Sequence, residues 1–299
     1  LAGLGEPGTP LAFDLSAHGR GGHAQLQGEL AHGTLRATVQ PSVVRLDEQV
    51  LEFDPLVVDV FDGRITVTGR GDFEDPQAAS VRYAVVARGL AWAPAPEDGG
   101  AVDPAATVRA DADLGIAGTA ARWAVVGQAQ LERDGDRAEV EVRGRGDQAR
   151  LDLRSLVART PSGRLDGSGH VAWAPALGWE LEAALAGFDP GYFLPGFEGA
   201  IDGRLASTGG RRDDGGLDLT AEASGLGGHL RGRRLSGRAS FAMQGAAPDS
   251  GADATFEGEA ALAVGESRID ARGRVADRID VEASLAPLRL DDLLPGAAG

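Results

Sequence analysis

With 299 residues, 42% of them apolar, and no cysteine, the chain can bury a substantial core and holds neither a disulfide nor a cysteine-ligated metal. A net charge of −16 and a pI near 4.7 argue against nucleic acid as a partner, and against docking of a basic patch on anionic headgroups. No apolar run approaches the ~20 residues that span a bilayer; every basic residue is arginine, and lysine and asparagine are absent, a composition that fits GC-rich bacterial coding.

Helical periodicity is scarce and period-two alternation is nearly continuous, which puts one apolar and one wet face on a sheet. The first segments are Leu11/Phe13/Leu15, Leu26/Gly28/Leu30 and Leu35/Ala37/Val39. Ile65/Val67/Gly69/Gly71/Phe73 and Val81/Tyr83/Val85 follow, then a Pro-rich loop from Ala93 to Pro104. Alternation resumes with Val108 to Ile116, Val125 to Leu131, Val140/Val142 and Leu151/Leu153. The densest stretch, Ser162–Gly196, pairs Leu165/Gly167/Gly169/Val171/Trp173 with Trp179/Leu181/Ala183/Leu185 and ends on Phe188-Asp189-Pro190 and Pro195-Gly196. Beyond it come Ile201/Gly203/Leu205, Leu217/Leu219, Phe256/Gly258/Ala260/Leu262, Ile269/Gly273/Val275 and Ile279/Val281/Leu285. Roughly twenty strands result, with turn signals at Asp62-Gly63, Asp134-Gly135 and Asp214-Gly215, and their short spacing predicts antiparallel meanders rather than crossover helices.

An internal repeat organises these strands. DGRITVTGRGDF at Asp62–Phe73 matches SGRLDGSGHVAW at Ser162–Trp173, and Phe193-Leu194-Pro195-Gly196 matches Leu293-Leu294-Pro295-Gly296 at the same offset. SRIDARGRV at Ser267–Val275 reads as a third copy. The expected organisation is three modules, 1–104, 105–196 and 197–299, forming one continuous sheet because repeats bury their faces against neighbours.

Many positions on the apolar face are Gly or Ala, and Gly in a strand interior supplies nothing to a packed core. Two architectures fit: a closed sandwich or barrel with Gly at bends, and a curved sheet whose inner face stays open to a guest.

Catalytic signals are weak. His18, His23 and His32 lack a zinc spacing and read as solvated loop residues; Gly167 directly before Ser168 breaks the nucleophile-elbow pattern; no phosphate-binding loop or dinucleotide fingerprint opens a helix. The reading is a non-enzyme without a cofactor or metal.

The run of strand, Gly-x-Gly, strand and Trp, then a Trp-x-Leu strand, Phe-Asp-Pro, Pro-Gly and a strand ending at Thr208-Gly209 resembles the repeats of the TamB family, of the AsmA-like group, best over Arg159–Gly209. The resemblance implies an all-β fold: an elongated, twisted antiparallel sheet curved into a U-shaped open groove. It also implies a periplasmic protein tethered to the inner membrane by an N-terminal helix not present in this chain, which would be a middle segment. Phospholipids and an outer-membrane TamA barrel protein are the implied partners, with the alternating apolar residues named above, from Ile65 to Leu285, lining a lipid groove. The competing class is an elongated adhesin-like scaffold whose polar face binds protein.

Overall fold

The computed structural model describes residues 12–32, 35–75, 79–93, 107–192, 196–247, 253–276 and 278–287. Leu11, the Pro-rich stretch after Ala93, Phe193–Pro195 and the Leu293–Gly296 copy lie outside the described residues. Two compact units divide at Gln148/Ala149, a point inside the 105–196 stretch.

The first unit is a meander of nine strands: β1 (Ala12–Arg20), β2 (His23–His32), β3 (Leu35–Asp47), β4 (Val50–Val60), β5 (Gly63–Asp72), β6 (Ser80–Trp92), β7 (Val108–Thr119), β8 (Arg122–Arg133) and β9 (Asp136–Gly146). The second holds β10 (Arg150–Arg159), β11 (Arg164–Ala172), β12 (Gly178–Phe188), β13 (Gly199–Arg211), β14 (Leu217–Leu230), β15 (Arg233–Gln244), β16 (Thr255–Val264), β17 (Ser267–Val275) and β18 (Ile279–Leu285). Within each unit every strand pairs antiparallel with its neighbour in sequence, and among the described residues the two edge strands of a unit do not pair with each other. The fold is therefore all-β and open, not a closed barrel. The single helical feature among the described residues is a 3-10 turn, Pro190–Tyr192. There Asp189 Oδ1 accepts from the amides of Gly191 and Gly199, tying the Phe-Asp-Pro link to the start of β13.

Two-residue turns set the registers. Asp134 (φ 50°) and Gly135 (φ 85°) form the left-handed pair between β8 and β9, the type I′ geometry whose twist matches that of the strands. The Asp62-Gly63 signal is off by one: Phe61 (φ 51°) and Asp62 (φ 58°) make the turn, and Gly63 already pairs with Val60.

The repeat is structural in two of its three copies. In β4–β5, Phe53 faces Gly69, the register slips, and Leu56 faces Val67. In β10–β11, Leu153 faces Gly169, the register slips, and Leu156 faces Gly167. Bulge and glycine recur at an offset of one hundred residues. A Cβ on Gly69 would stand 2.1 Å from the Arg82 carbonyl oxygen, and one on Gly169 2.1 Å from that of Glu180, at φ values of 141° and 149°. Only glycine lets the strands approach so closely in this conformation, and the bulge beside it bends and re-aims the strand. The third sequence copy, β17, pairs with β16 without any slip. It shares the strand pattern but lacks the bulge, so the sequence match there is one of alternation alone.

A bulge ordinarily turns the following side chains to the other face. Here the sequence slips with the backbone. The apolar set jumps by three residues, from Leu153 to Leu156, Phe53 to Leu56, Leu185 to Phe188 and Ala223 to Leu226, where the register jumps. Each apolar face thus continues uninterrupted across its unit.

Candidate functional site

The apolar face of each unit follows directly from the pairing. In unit 2 one row of partners runs Leu151, Val171, Trp179, Gly209, Leu219, Met243, Phe256, Val275, Ile279. The next runs Leu153, Gly169, Leu181, Ser207, Ala221, Phe241, Gly258, Gly273, Val281. Beside it lies Leu156, Gly167, Ala183, Leu205 and then five alanines, Ala223, Ala239, Ala260, Ala271 and Ala283. Leu165, Leu185, Leu262, Ile269 and Leu285 stand on its far side, and Ile201 and Leu217 occupy the same face in β13 and β14. Small side chains therefore occupy the middle of the face between bulkier flanks.

In unit 1, Val58, Ile65, Ala87, Ala112, Ala129 and Val140 form one row; Leu56, Val67, Val85, Leu114, Gly127 and Val142 form the next; Phe53, Gly69, Tyr83, Ile116 and Val125 form a third, with Leu131 two places beyond Ala129 on β8. Of the alternating residues singled out in the sequence, all those within strands fall on these two faces, while Phe73 and Trp173 lie one residue past the ends of β5 and β11.

Three things characterise the face. Charged and histidine side chains reach it only at strand ends, at His32, Arg133, Asp136, Arg211 and Arg233. Two of its polar groups are satisfied within it: Trp179 Nε1 donates to Ser207 Oγ at 3.1 Å, and the Tyr83 hydroxyl to the Leu51 carbonyl at 3.4 Å, with burial pushing the Tyr83 pKa up. Above all, it is not covered. Val39, Val60, Leu235 and Val264 are buried, but Phe241 is 41% exposed, Val281 57% and Ile279 74%. Solvent-accessible apolar surface on this scale marks a binding surface rather than a finished core. A cavity of 520 Å³ opens on it over β10–β15, with Leu153, Leu156, Leu165, Leu181, Leu205 and Phe241 among its walls.

The opposite face carries the charge, in cross-strand and local ion pairs such as Arg64–Asp59, Arg88–Asp113, Arg164–Asp166 and Arg272–Glu282. Hydrogen bonds from the partner guanidinium groups hold the Asp59, Asp166 and Asp214 carboxyls below the usual carboxylate range. These pairs are solvated and contribute little individually. A concavity of 740 Å³ lies on this side of unit 2, with Thr208, Glu222, Glu257, Arg272, Asp280 and Glu282 among its walls. Among the described residues no group of three His, Asp or Glu side chains could hold a metal. The histidine trio is a correction: His18 lies within β1, His23 opens β2 and His32 closes it, so they are strand residues, not loop residues.

Alternation alone missed part of the face. Leu51, Phe53, Leu56, Val58 and Val60 of β4 escaped because Asp54-Pro55 interrupts the pattern at the bulge; Leu235, Phe241 and Met243 of β15 escaped because small and basic residues separate them. A three-residue jump between apolar runs is the signal that finds the first group.

No curated protein and no solved structure matches the chain. A family model does: TamB, N-terminal domain, over residues 104–299, which spans β7 to β18. An open all-β meander with one uncharged, alternating face, matched by that model over about two thirds of its length, belongs to the TamB family.

Proposed function

We propose that the chain is a length of phospholipid conduit, a non-enzymatic bridge in the periplasm between the inner and outer membranes of a Gram-negative envelope. Its acyl-chain wall is the apolar face of each unit, carrying the residues from Ile65 to Leu285 singled out above, organised as successive modules of one repeating pattern. Parts of the protein outside this chain engage the inner membrane and an outer-membrane TamA-like barrel, and lipid delivery supports outer-membrane assembly. The observation that carries this reading is the exposed, uncharged face with its central rows of Gly and Ala. Moving a sixteen-carbon chain through water costs about 12 kcal/mol at ~0.8 kcal/mol per CH2. An apolar wall removes most of that barrier, while small side chains leave width for the chain. With so few polar anchors on the wall, lipids bind weakly and slide.

The test is native mass spectrometry on protein purified from envelopes in a gentle detergent. The expected result is co-purified phospholipid that exchanges with added lipid. Protein that emerges lipid-free, and takes up none when phospholipid is supplied, overturns the reading.

A further inference from the structure

The chain's net charge conceals one strongly basic element. Residues 223–248 contain no Asp or Glu but include His229, Arg231, Arg233, Arg234 and Arg238, in a protein whose overall charge is −16. Within this stretch lie the C-terminal part of β14, the turn and the whole of β15. Its turn is the two-residue, left-handed pair Arg231 (φ 54°) and Gly232 (φ 71°), closed by Leu230 facing Arg233. Behind the turn, His229 faces Arg234 directly across the strands. Among the described residues, Arg231, Arg234 and Arg238 take part in no ion pair of the kind that Arg212, Arg272 and Arg274 make. Arg231 Nη1 is buried without a hydrogen-bond partner, and an unmet buried donor is costly to leave. The adjoining β16–β17 turn, held by the Gly265 amide on the Arg234 carbonyl at 2.9 Å, contributes one acid, Glu266, and one more cation, Arg268. Glu198, whose carbonyl accepts from the Arg231 amide at 2.6 Å, adds a second acid; against two acids stand Arg231, Arg233, Arg234 and Arg268, and more distant acids are screened beyond about 8–10 Å at physiological salt, so the local balance at this tip is positive.

The position matters as much as the charge. Arg233 stands on the apolar face, one place beyond the buried Leu235 on the same side of β15. A lipid whose acyl chains lie on this face would bring its headgroup to the strand ends. Planar guanidinium groups match phosphate oxygens in a bidentate fork.

We propose that the β14–β15 hairpin tip, through Arg231 in the turn and Arg233 on the apolar side, binds the phosphate of a lipid headgroup whose acyl chains rest on the adjoining apolar face, with Arg234 on the opposite face adding to the positive field. Assigning the phosphate to a lipid rests on the conduit reading; the same chemistry would also take free phosphate. The site sets a preference for anionic over zwitterionic headgroups, because a second positive group on the lipid would meet the arginines.

The test compares the protein with a triple variant, Arg231→Gln, Arg233→Gln and Arg234→Gln, after circular dichroism confirms equal strand content. Binding is measured by flotation with phosphatidylcholine vesicles with and without phosphatidylglycerol, at low and high salt, and with inorganic phosphate as competitor. The expected result is about a tenfold loss of phosphatidylglycerol-dependent binding in the variant, a flatter salt dependence, and unchanged capture of lipid by a photo-crosslinker at Leu181. Equal phosphatidylglycerol binding by both proteins overturns the site. Complete competition by millimolar inorganic phosphate overturns the lipid assignment, because the tip then reads phosphate alone. Loss of capture at Leu181 in the unaltered protein, with the headgroup difference intact, sinks the conduit reading and leaves the headgroup site standing.

Discussion

Leu181→Arg in the full-length protein stops lipid transfer while the strand stays in place. Leu181 lies between Gly169 and Ser207 in one register row and forms part of the wall of the 520 Å³ cavity. Its neighbours across the strands are small and its face is open to solvent, so an arginine side chain can be housed there without the overpacking that unfolds closed cores. What changes is the path. A guanidinium in hydrocarbon surroundings costs about 2.5–3.5 kcal/mol on insertion scales, and each 1.4 kcal/mol is a factor of ten. Transfer between donor and acceptor vesicles therefore falls by roughly 100-fold, whereas Leu181→Ala, which keeps the path apolar, leaves it within about a factor of three. Thermal unfolding separates this from a folding defect: the Arg variant melts within a few degrees of the parent. Lipid flux at the parental rate with a charge at this position removes the apolar face from the mechanism.

Gly169→Val strongly destabilises unit 2. At φ 149° a Cβ would meet the Glu180 carbonyl oxygen at 2.1 Å and the Leu181 Cα at 2.8 Å, all of it backbone that cannot step aside. Strain of this kind costs of order 1–3 kcal/mol before the steric clash is added. The expected loss is about 3 kcal/mol or more, a fall in midpoint of roughly 6–12 °C for a unit of this size. Gly258→Ala is the control. It lies on the same face, and its Cβ would meet nothing closer than the Ser240 carbonyl at 3.4 Å, so its stability changes little. If both variants melt alike, the bulge glycines are not what shapes the strands.

Most of the fold was legible because half-exposed antiparallel strands must alternate. The residues from Ile65 to Leu285 picked out by period two fall on a single face of each unit wherever they lie within strands. What escaped did so for local reasons. Asp54-Pro55 breaks the alternation of β4 at the point where the backbone bulges, so the apolar phase shifts with it. The Asp62-Gly63 dipeptide carries a turn signature, yet the turn forms one residue earlier, where Phe61 and Asp62 adopt left-handed conformations. The apparent third repeat at Ser267–Val275 matches in pattern, but without the register slip that gives the other two copies their bend. The basic hairpin escaped for the opposite reason: a global charge sum averages away a patch confined to one turn and the strand ends beside it.

The conduit is tested most directly by placing a photo-crosslinking residue at two neighbouring positions of one strand in living cells. Leu181 lies on the apolar face of β12 and Glu182 on the charged one. The account predicts phospholipid adducts at Leu181 in large excess over Glu182, with the same contrast at Val171 against His170 on β11. Adducts in equal yield on both faces, or protein adducts at Leu181 in place of lipid, would contradict it.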